Sequence, residues 1–286
     1  MTDTLDSSGL KPTQPNWLSS AEACDIYFSA TYPHEAHEAI SSILNNVKVD
    51  FHIQRTKFRQ KKILIADMDS TIITSETIDK LATIAGFGPE VASITKRSMK
   101  GELNFSEAVQ DRVAMLSGLS IKAIDHILAE IKISKGAKTL VRTMKANGAF
   151  TVLVSGGFRN FSEPIANIAG FDQNYANRLG IKKGLLTGKV IKPILGPDSK
   201  RKILTTKTSQ LGTTISETLA IGDGANDIEM IQAAGLGIAY RGKQITRNAA
   251  LANLHSQSSG ACIDYADLTA ALFFQGYHRK EFIENK

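Results

Sequence analysis

The chain has 286 residues, with 34 Lys and Arg against 28 Asp and Glu, a formal net charge of +6. Hydrophobic residues make up 42% and charged residues 22%, the balance of an ordinary globular protein long enough for one to two domains. Cys24 and Cys262 stand far apart without C-x-x-C or zinc spacing, which excludes a disulfide framework and fits a reducing compartment; the small charge excess, without a long basic run, tolerates an anionic ligand but does not mark a nucleic-acid binder.

Residues 1–17 are polar, carry Pro12 and Pro15, and read as a loose tail without the pattern of a signal peptide. Across the chain no apolar run approaches the roughly 18–20 residues that span a bilayer. The expectation is a soluble, cytoplasmic protein with no membrane partner. Ala36, Ile40, Ile43 and Leu44 recur at helical spacing within 34–47, and Val49, Phe51 and Ile53 alternate like a half-buried strand. Together they predict a small α/β unit. Arg55, Lys57, Arg59, Lys61 and Lys62 follow, and read as a solvated linker rather than a nucleic-acid arm.

Ile63–Ala66 is a short apolar run that predicts a buried strand, ending abruptly in Asp67-Met68-Asp69-Ser70-Thr71. Helical stripes come next: Ile78, Leu81, Ala82 and Ala85, stopped at Gly86; then Val109, Val113 and Leu116; then Ile121, Ile124, Leu128 and Ile131. Another helix around Leu140 and Met144 stops near Gly148. Phe150–Val154 predicts a second buried strand, ending in Ser155-Gly156-Gly157. Residues 181–194 read as a hairpin punctuated by Gly184 and Gly188. Thr218–Ile221 predicts a third buried strand, ending in Gly222-Asp223-Gly224-Ala225-Asn226-Asp227. A helix through Ile228, Ile231 and Ala234 leads to a strand at Leu236–Tyr240.

Strands alternating with helices imply an α/β fold, a mostly parallel sheet covered on both faces. The helical block between the first two buried strands, about seventy residues, exceeds one crossover helix and predicts a separate cap.

In open α/β sheets the carboxyl ends of strands converge on one crevice. Asp67, Asp69, Ser155, Gly156, Asp223, Asn226 and Asp227 would meet there. Several carboxylates at one point call for a hard cation, and Mg²⁺ bound by oxygen ligands meets that need. A phosphate substrate would complete its shell. Asp67 is placed to attack phosphorus as a nucleophile, and Asp69 to protonate the leaving oxygen and later deprotonate water. Ser155 and the Gly156 N–H offer neutral donors to phosphoryl oxygens, and Lys200 a cation. Singly these signals are weak: each Asp or Asn also suits a helix cap, and Lys200 a surface position. Gly237 to Lys243 spells G-x-x-x-x-G-K, but Gln244 stands where a phosphate loop needs Ser or Thr; Gly222-Asp223-Gly224 opens a dinucleotide fingerprint that Asp227 breaks.

Taken in order, Asp67-Met68-Asp69-Ser70-Thr71, Ser155-Gly156-Gly157-Phe158, Lys200 and Gly222-Asp223-Gly224-Ala225-Asn226-Asp227 resemble the four motifs of the haloacid dehalogenase superfamily, and within it the phosphoserine phosphatase family. The resemblance implies a Rossmann-like core at 61–75 and 137–286, a helical cap at 76–136 inserted after the first strand, and a short N-terminal α/β segment at 1–60. It implies Asp67 as nucleophile and Asp69 as acid and base. Mg²⁺ would be held by Asp67, the Asp69 backbone carbonyl and Asp223. Asp227 and Asn226 would support the metal, Asn226 also among the substrate-binding residues, and Lys200 would grip the phosphoryl group with Ser155 and Gly156.

The family's substrate contacts fall on Glu76, Met99, Phe105 and Arg112. Glu76 would take the ammonium of phosphoserine and Arg112 its carboxylate, while Met99 and Phe105 close over the pocket. An exposed Glu76–Lys80 helix pair explains Glu76 nearly as well, and Met99 and Phe105 also suit a plain cap core. Arg112 has no acidic neighbour three or four residues away on its helix, so it wants a partner elsewhere. The implied reaction is hydrolysis of O-phospho-serine in the last step of serine biosynthesis. Alternatives are another small phosphate ester, phosphoryl transfer to an alcohol, or a non-catalytic amino-acid sensor. The N-terminal segment resembles part of an ACT-like regulatory module, shorter and without a ligand motif; it would pack on the core or form a homodimer contact.

Overall fold

The computed structural model describes residues 6, 10–29, 33–44, 46–99, 102–252 and 259–284, without the side chains of 33–35 and 99. In chain order the elements are β1 (Asn16–Ser19), β2 (Ala23–Asp25), α1 (Pro33–Leu44), β3 (Ile63–Ala66), α2 (Thr77–Ala85), α3 (Gly88–Met99), α4 (Phe105–Ala114), α5 (Lys122–Glu130), α6 (Ala137–Ala146), β4 (Phe150–Phe158), α7 (Arg159–Ala169), β5 (Gln173–Lys182), β6 (Leu185–Ile191), α8 (Pro197–Gln210), β7 (Thr218–Gly222), α9 (Ile228–Ala233), β8 (Leu236–Tyr240), α10 (Gln244–Leu251), β9 (Ser259–Ile263) and α11 (Ala270–Phe274).

Why the central strands read as unbroken apolar runs is visible in the sheet. Its order is β6-β5-β4-β3-β7-β8-β9, parallel except for the β5–β6 hairpin. Alternate residues point to opposite faces, and both faces are covered. Leu64, Ala66, Leu153, Leu219 and Ile221 join one core with α6, α7 and α11. Ile63, Ile65, Val152, Val154 and Ala220 join the other with Leu204 of α8 and Met230 and Ile231 of α9.

β3 lies between β4 and β7, so the chain winds outward from it first on one side and then on the other. That reversal is the switch point at which strand ends leave a crevice. The predicted hairpin is there, with a two-residue turn at Lys183-Gly184, both with positive φ (52° and 76°), as such a turn demands. It clasps the loop after α4: Gly118 N–H donates to Leu186 O and Leu186 N–H to Leu119 O, both at 2.8 Å.

Four expectations are corrected. The tail is not loose throughout: Leu10 is buried, Thr13 N–H donates to Tyr27 O at 2.7 Å, and Asn16 onward enters the β1–β2 hairpin. Residues 49–53 form no strand; Ile53 is buried against α1 because it packs there, while Val49 faces solvent. The basic stretch is not simply solvated, since Arg59 pairs with Asp25 at 2.5 Å and buried Lys61 donates to the Phe58 and Ser216 carbonyls at 2.8 Å. On α5 the buried face is Ala123, Ile124 and Ile127, leaving Ile121 exposed.

Candidate active site

The three polar clusters stand at the ends of β3, β4 and β7, which pair in register side by side. Asp67 N–H continues the β3 ladder by donating to Ile221 O at 2.9 Å. The chain then coils tightly through Met68–Ile72, with Ser70 at φ 55°. This turn brings Asp67 and Asp69 into one cavity.

Asp67, Asp223 and Asp227 are buried, with a carboxylate oxygen of each within 4.8 Å of the others. Lys200, 2% exposed, spans two of them: its Nζ lies 2.6 Å from Asp67 Oδ1 and 2.6 Å from Asp227 Oδ1. Burial works against the ammonium, but Asp227 and Asp67 outweigh it and hold the Lys200 pKa above its ordinary value. Asp227 Oδ2 accepts the N–H groups of Asp223 (3.1 Å) and Gly224 (3.0 Å). Its oxygens are therefore largely committed. A Cβ on Gly222 would lie 2.3 Å from Asp227 Cγ, so only glycine lets that carboxylate reach the strand end.

Asp67 and Asp223 keep more open oxygens. Thr71 Oγ1 donates to Asp223 Oδ1 at a long 3.4 Å, and Lys243 Nζ stands 3.7 Å from Asp223 Oδ2. Burial and the neighbouring Asp227 raise the Asp67 pKa well above the carboxylate range and push that of Asp223 to about 7. Crowded, oxygen-only donors whose charge the chain does not fully offset fit a hard divalent cation.

Asp69 has different partners. Its Oδ1 accepts the first N–H of α2, from Thr77, at 2.7 Å, so it is both a cap and a cavity residue. Ser155 Oγ donates to its Oδ2 at 3.4 Å. Burial and then the Glu76 carboxylate raise its pKa to about 7, against the Thr77 hydrogen bond. Ser155 Oγ accepts Gly157 N–H at 2.8 Å, and the Gly156 carbonyl accepts from Asn177 Nδ2 at 2.8 Å.

These groups line a cavity of about 260 Å³ that reaches from Asp67, Asp69 and Asp223 to Glu76, Phe105 and Arg112 under the helices. Ser155, Gly156 and Asn226 line it as well. Glu76 accepts from Ser70 Oγ at 2.6 Å, rather than being held by Lys80 on its own helix. Arg112 is buried beside Thr95 of α3; burial lowers its pKa, against the pull of Asp79, Glu76 and Asp69. The Phe105 ring sits on Gly156: a Cβ there would lie 2.9 Å from it. Lys200, paired with Asp67, does not line the cavity. The side chain of Met99 lies outside the described residues.

Residues 64–232 match the haloacid dehalogenase-like hydrolase family. Phosphoserine phosphatase SerB2 of Mycobacterium tuberculosis is 43% identical over 197 residues, covering 69% of this chain and 48% of that protein. The phosphoserine phosphatase of Streptococcus thermophilus is 44% identical over 187 residues, covering 65% of this chain and 87% of that protein. The chain belongs to the phosphoserine phosphatase family of haloacid dehalogenase-like hydrolases. A solved structure described as a phospho-aspartyl intermediate analogue of phosphoserine phosphatase superposes with a TM-score of 0.69 at 36% identity, over 75% of this chain and 99% of that one. The chain spans about half the length of the first curated relatives it matches, 48% and 56%.

Three residues at or beside this cavity escaped sequence reasoning. Thr95 and Asp79 reach Arg112 only through helix packing. Lys243 lies in the stretch that imitates a phosphate loop; there Gly237 is a strand residue packed on Ile231, and Lys243 is brought to Asp223 at the next strand end. Its place after a buried strand was the available signal. No described helix is long and apolar enough to cross a membrane.

Proposed function

We propose that the protein hydrolyses O-phospho-serine to serine and phosphate through an aspartyl-phosphate on Asp67. One observation carries the reading: a single cavity joins a buried carboxylate cluster at the strand ends to an acid and an arginine, Glu76 and Arg112, on the helices above. The first part suits a phosphoryl group, the second an amino acid's ammonium and carboxylate. The names of the relatives support the same substrate.

Asp67 and Asp223 would hold Mg²⁺, with the Asp69 backbone carbonyl, while Asp227 holds Lys200 and the strand end. The bound ion supplies positive charge to the phosphoryl oxygens. Asp67 attacks phosphorus as the bond to the serine oxygen breaks, and Asp69 gives its proton to that oxygen. A pKa near 7 leaves Asp69 able to do so at neutral pH. Asp69 then takes a proton from water; the water oxygen bonds phosphorus, the Asp67–phosphorus bond breaks, and the carboxylate is restored. Ser155 and the Gly156 N–H receive phosphoryl oxygens, with Asn226 alongside. Lys200 holds Asp67 in place and offsets its charge. Phe105, with Met99 as its expected partner, excludes water.

We assign the cap to 76–136, the core to 61–75 and 137–286, and a separate segment to 1–60. The two crossings between cap and core run together in support: Thr74 N–H donates to Lys132 O at 3.1 Å and Ser134 N–H to Ile72 O at 2.9 Å.

Phosphate release from a panel of small phosphate esters tests the reading, with and without EDTA, for the native chain and Asp67→Asn. Metal-dependent turnover that favours phosphoserine is expected. Turnover favouring another ester would replace the substrate, and no turnover with any ester would overturn the hydrolase reading.

A further inference from the structure

A guanidinium has five N–H donors, yet Arg112 has two protein acceptors among the described residues. Its Nε donates to the Ala108 carbonyl at 3.0 Å and its Nη1 to Thr95 Oγ1 at 3.0 Å. Thr95 Oγ1 in turn donates to Asp79 Oδ1 at 3.1 Å. The three side chains stand on three successive helices, Asp79 on α2, Thr95 on α3 and Arg112 on α4. Thr95 is 5% exposed and lines the cavity beside Arg112.

The chain of bonds has a fixed direction. A hydroxyl has one proton, and Asp79 takes it. The Thr95 oxygen therefore meets Arg112 with lone pairs alone. A helical threonine commonly turns its hydroxyl back to its own preceding turn; this one spans two neighbouring helices instead. The arrangement also keeps Asp79 at one remove. A carboxylate bonded directly to the guanidinium would occupy the fork that a ligand carboxylate needs. Through Thr95, Asp79 holds the arginine without competing for its remaining donors.

We propose that Thr95 and Asp79 are positioning residues for substrate selection, aiming Arg112 so that its free edge receives the carboxylate of the phosphate ester. The inference rests on reading the site as one for O-phospho-serine. It makes selectivity for a carboxylate a property of three helices jointly.

The test compares phosphoserine with O-phosphoethanolamine, the same ester without the carboxylate. Thr95→Val keeps the shape and removes the hydroxyl. The ratio of kcat/KM for phosphoserine to that for phosphoethanolamine should fall about tenfold or more, through KM for phosphoserine, as expected when a hydrogen bond to a charged group is lost. Thr95→Ser should restore the ratio, and Asp79→Ala should lower it in the same selective way. A Thr95→Val ratio within about twofold of the native one, or equal losses on both esters, overturns the proposal. Should Thr95→Val not fold, the Thr95→Ser and Asp79→Ala ratios decide: an unchanged Asp79→Ala ratio overturns it. A native protein that does not discriminate between the two esters would instead overturn the substrate assignment.

Discussion

The two ends of the cavity are built on different principles. The strand-end corner is buried and charge-dense: Asp67, Asp223, Asp227 and Lys200 are each less than a tenth exposed, and their atoms are held by one another and by backbone N–H groups. The helix end is more open and is held indirectly, with Glu76 resting on Ser70 and Arg112 on Thr95. On the proposed reading the corner sets the reaction and the helix end the substrate, and the two touch where Glu76 raises the Asp69 pKa and the Phe105 ring meets Gly156.

Lys200→Met should separate them most sharply. It strands two buried carboxylates, so turnover should fall about 10³-fold on any ester, and stability by about 3–5 kcal/mol. Phosphate release and a thermal melt check both. Arg112→Ala acts at the other end: KM for phosphoserine should rise about 10²-fold, since a charged ligand contact is lost. An equal loss on phosphoethanolamine would break the comparison. Gly156→Ala joins the two ends, because the new methyl meets the Phe105 ring. About a tenfold loss of kcat/KM is expected, recovered in part by adding Phe105→Leu, which removes the crowding.

The strand-end corner was legible in the sequence because buried parallel strands leave an unmistakable trace. Ile63–Ala66, Phe150–Val154 and Thr218–Ile221 are apolar on both faces and stop at polar residues. α8 left no such trace. Its buried face is Lys200, Leu204 and Thr208, a helical stripe in which two of three members are polar. β9, Ser-Gly-Ala-Cys-Ile, is short and glycine-bearing, and is a strand because β8 offers it a ladder. The same limit applies at the helix end. Glu76, Phe105 and Arg112 could be placed by resemblance, but Thr95 and Asp79 become relevant only once three helices pack.

Away from the cavity, Glu217 provides the smallest test. It accepts from Lys62 Nζ at 2.7 Å and from Thr213 Oγ1 at 2.8 Å, and those bonds lower its pKa from 4.5 to about 2. The ionised form stabilises the fold above the unfolded pKa, and that contribution disappears as pH falls through the folded value. Glu217→Gln should lower the melting temperature by a few degrees near pH 7, with the gap closing between about pH 4.5 and pH 2. Turnover should be unaffected, because this contact lies on the far side of the sheet's strand ends.

The covalent step is the most direct point of attack. Native chain and Asp67→Asn, each mixed with Mg²⁺ and phosphoserine labelled on phosphorus, are quenched in acid within the first turnover and digested. The label should appear on the peptide containing Asp67 in the native chain and nowhere in the variant. Full turnover by the native chain with no labelled peptide, or label retained in Asp67→Asn, would contradict the assignment of Asp67 as the residue that accepts the phosphoryl group.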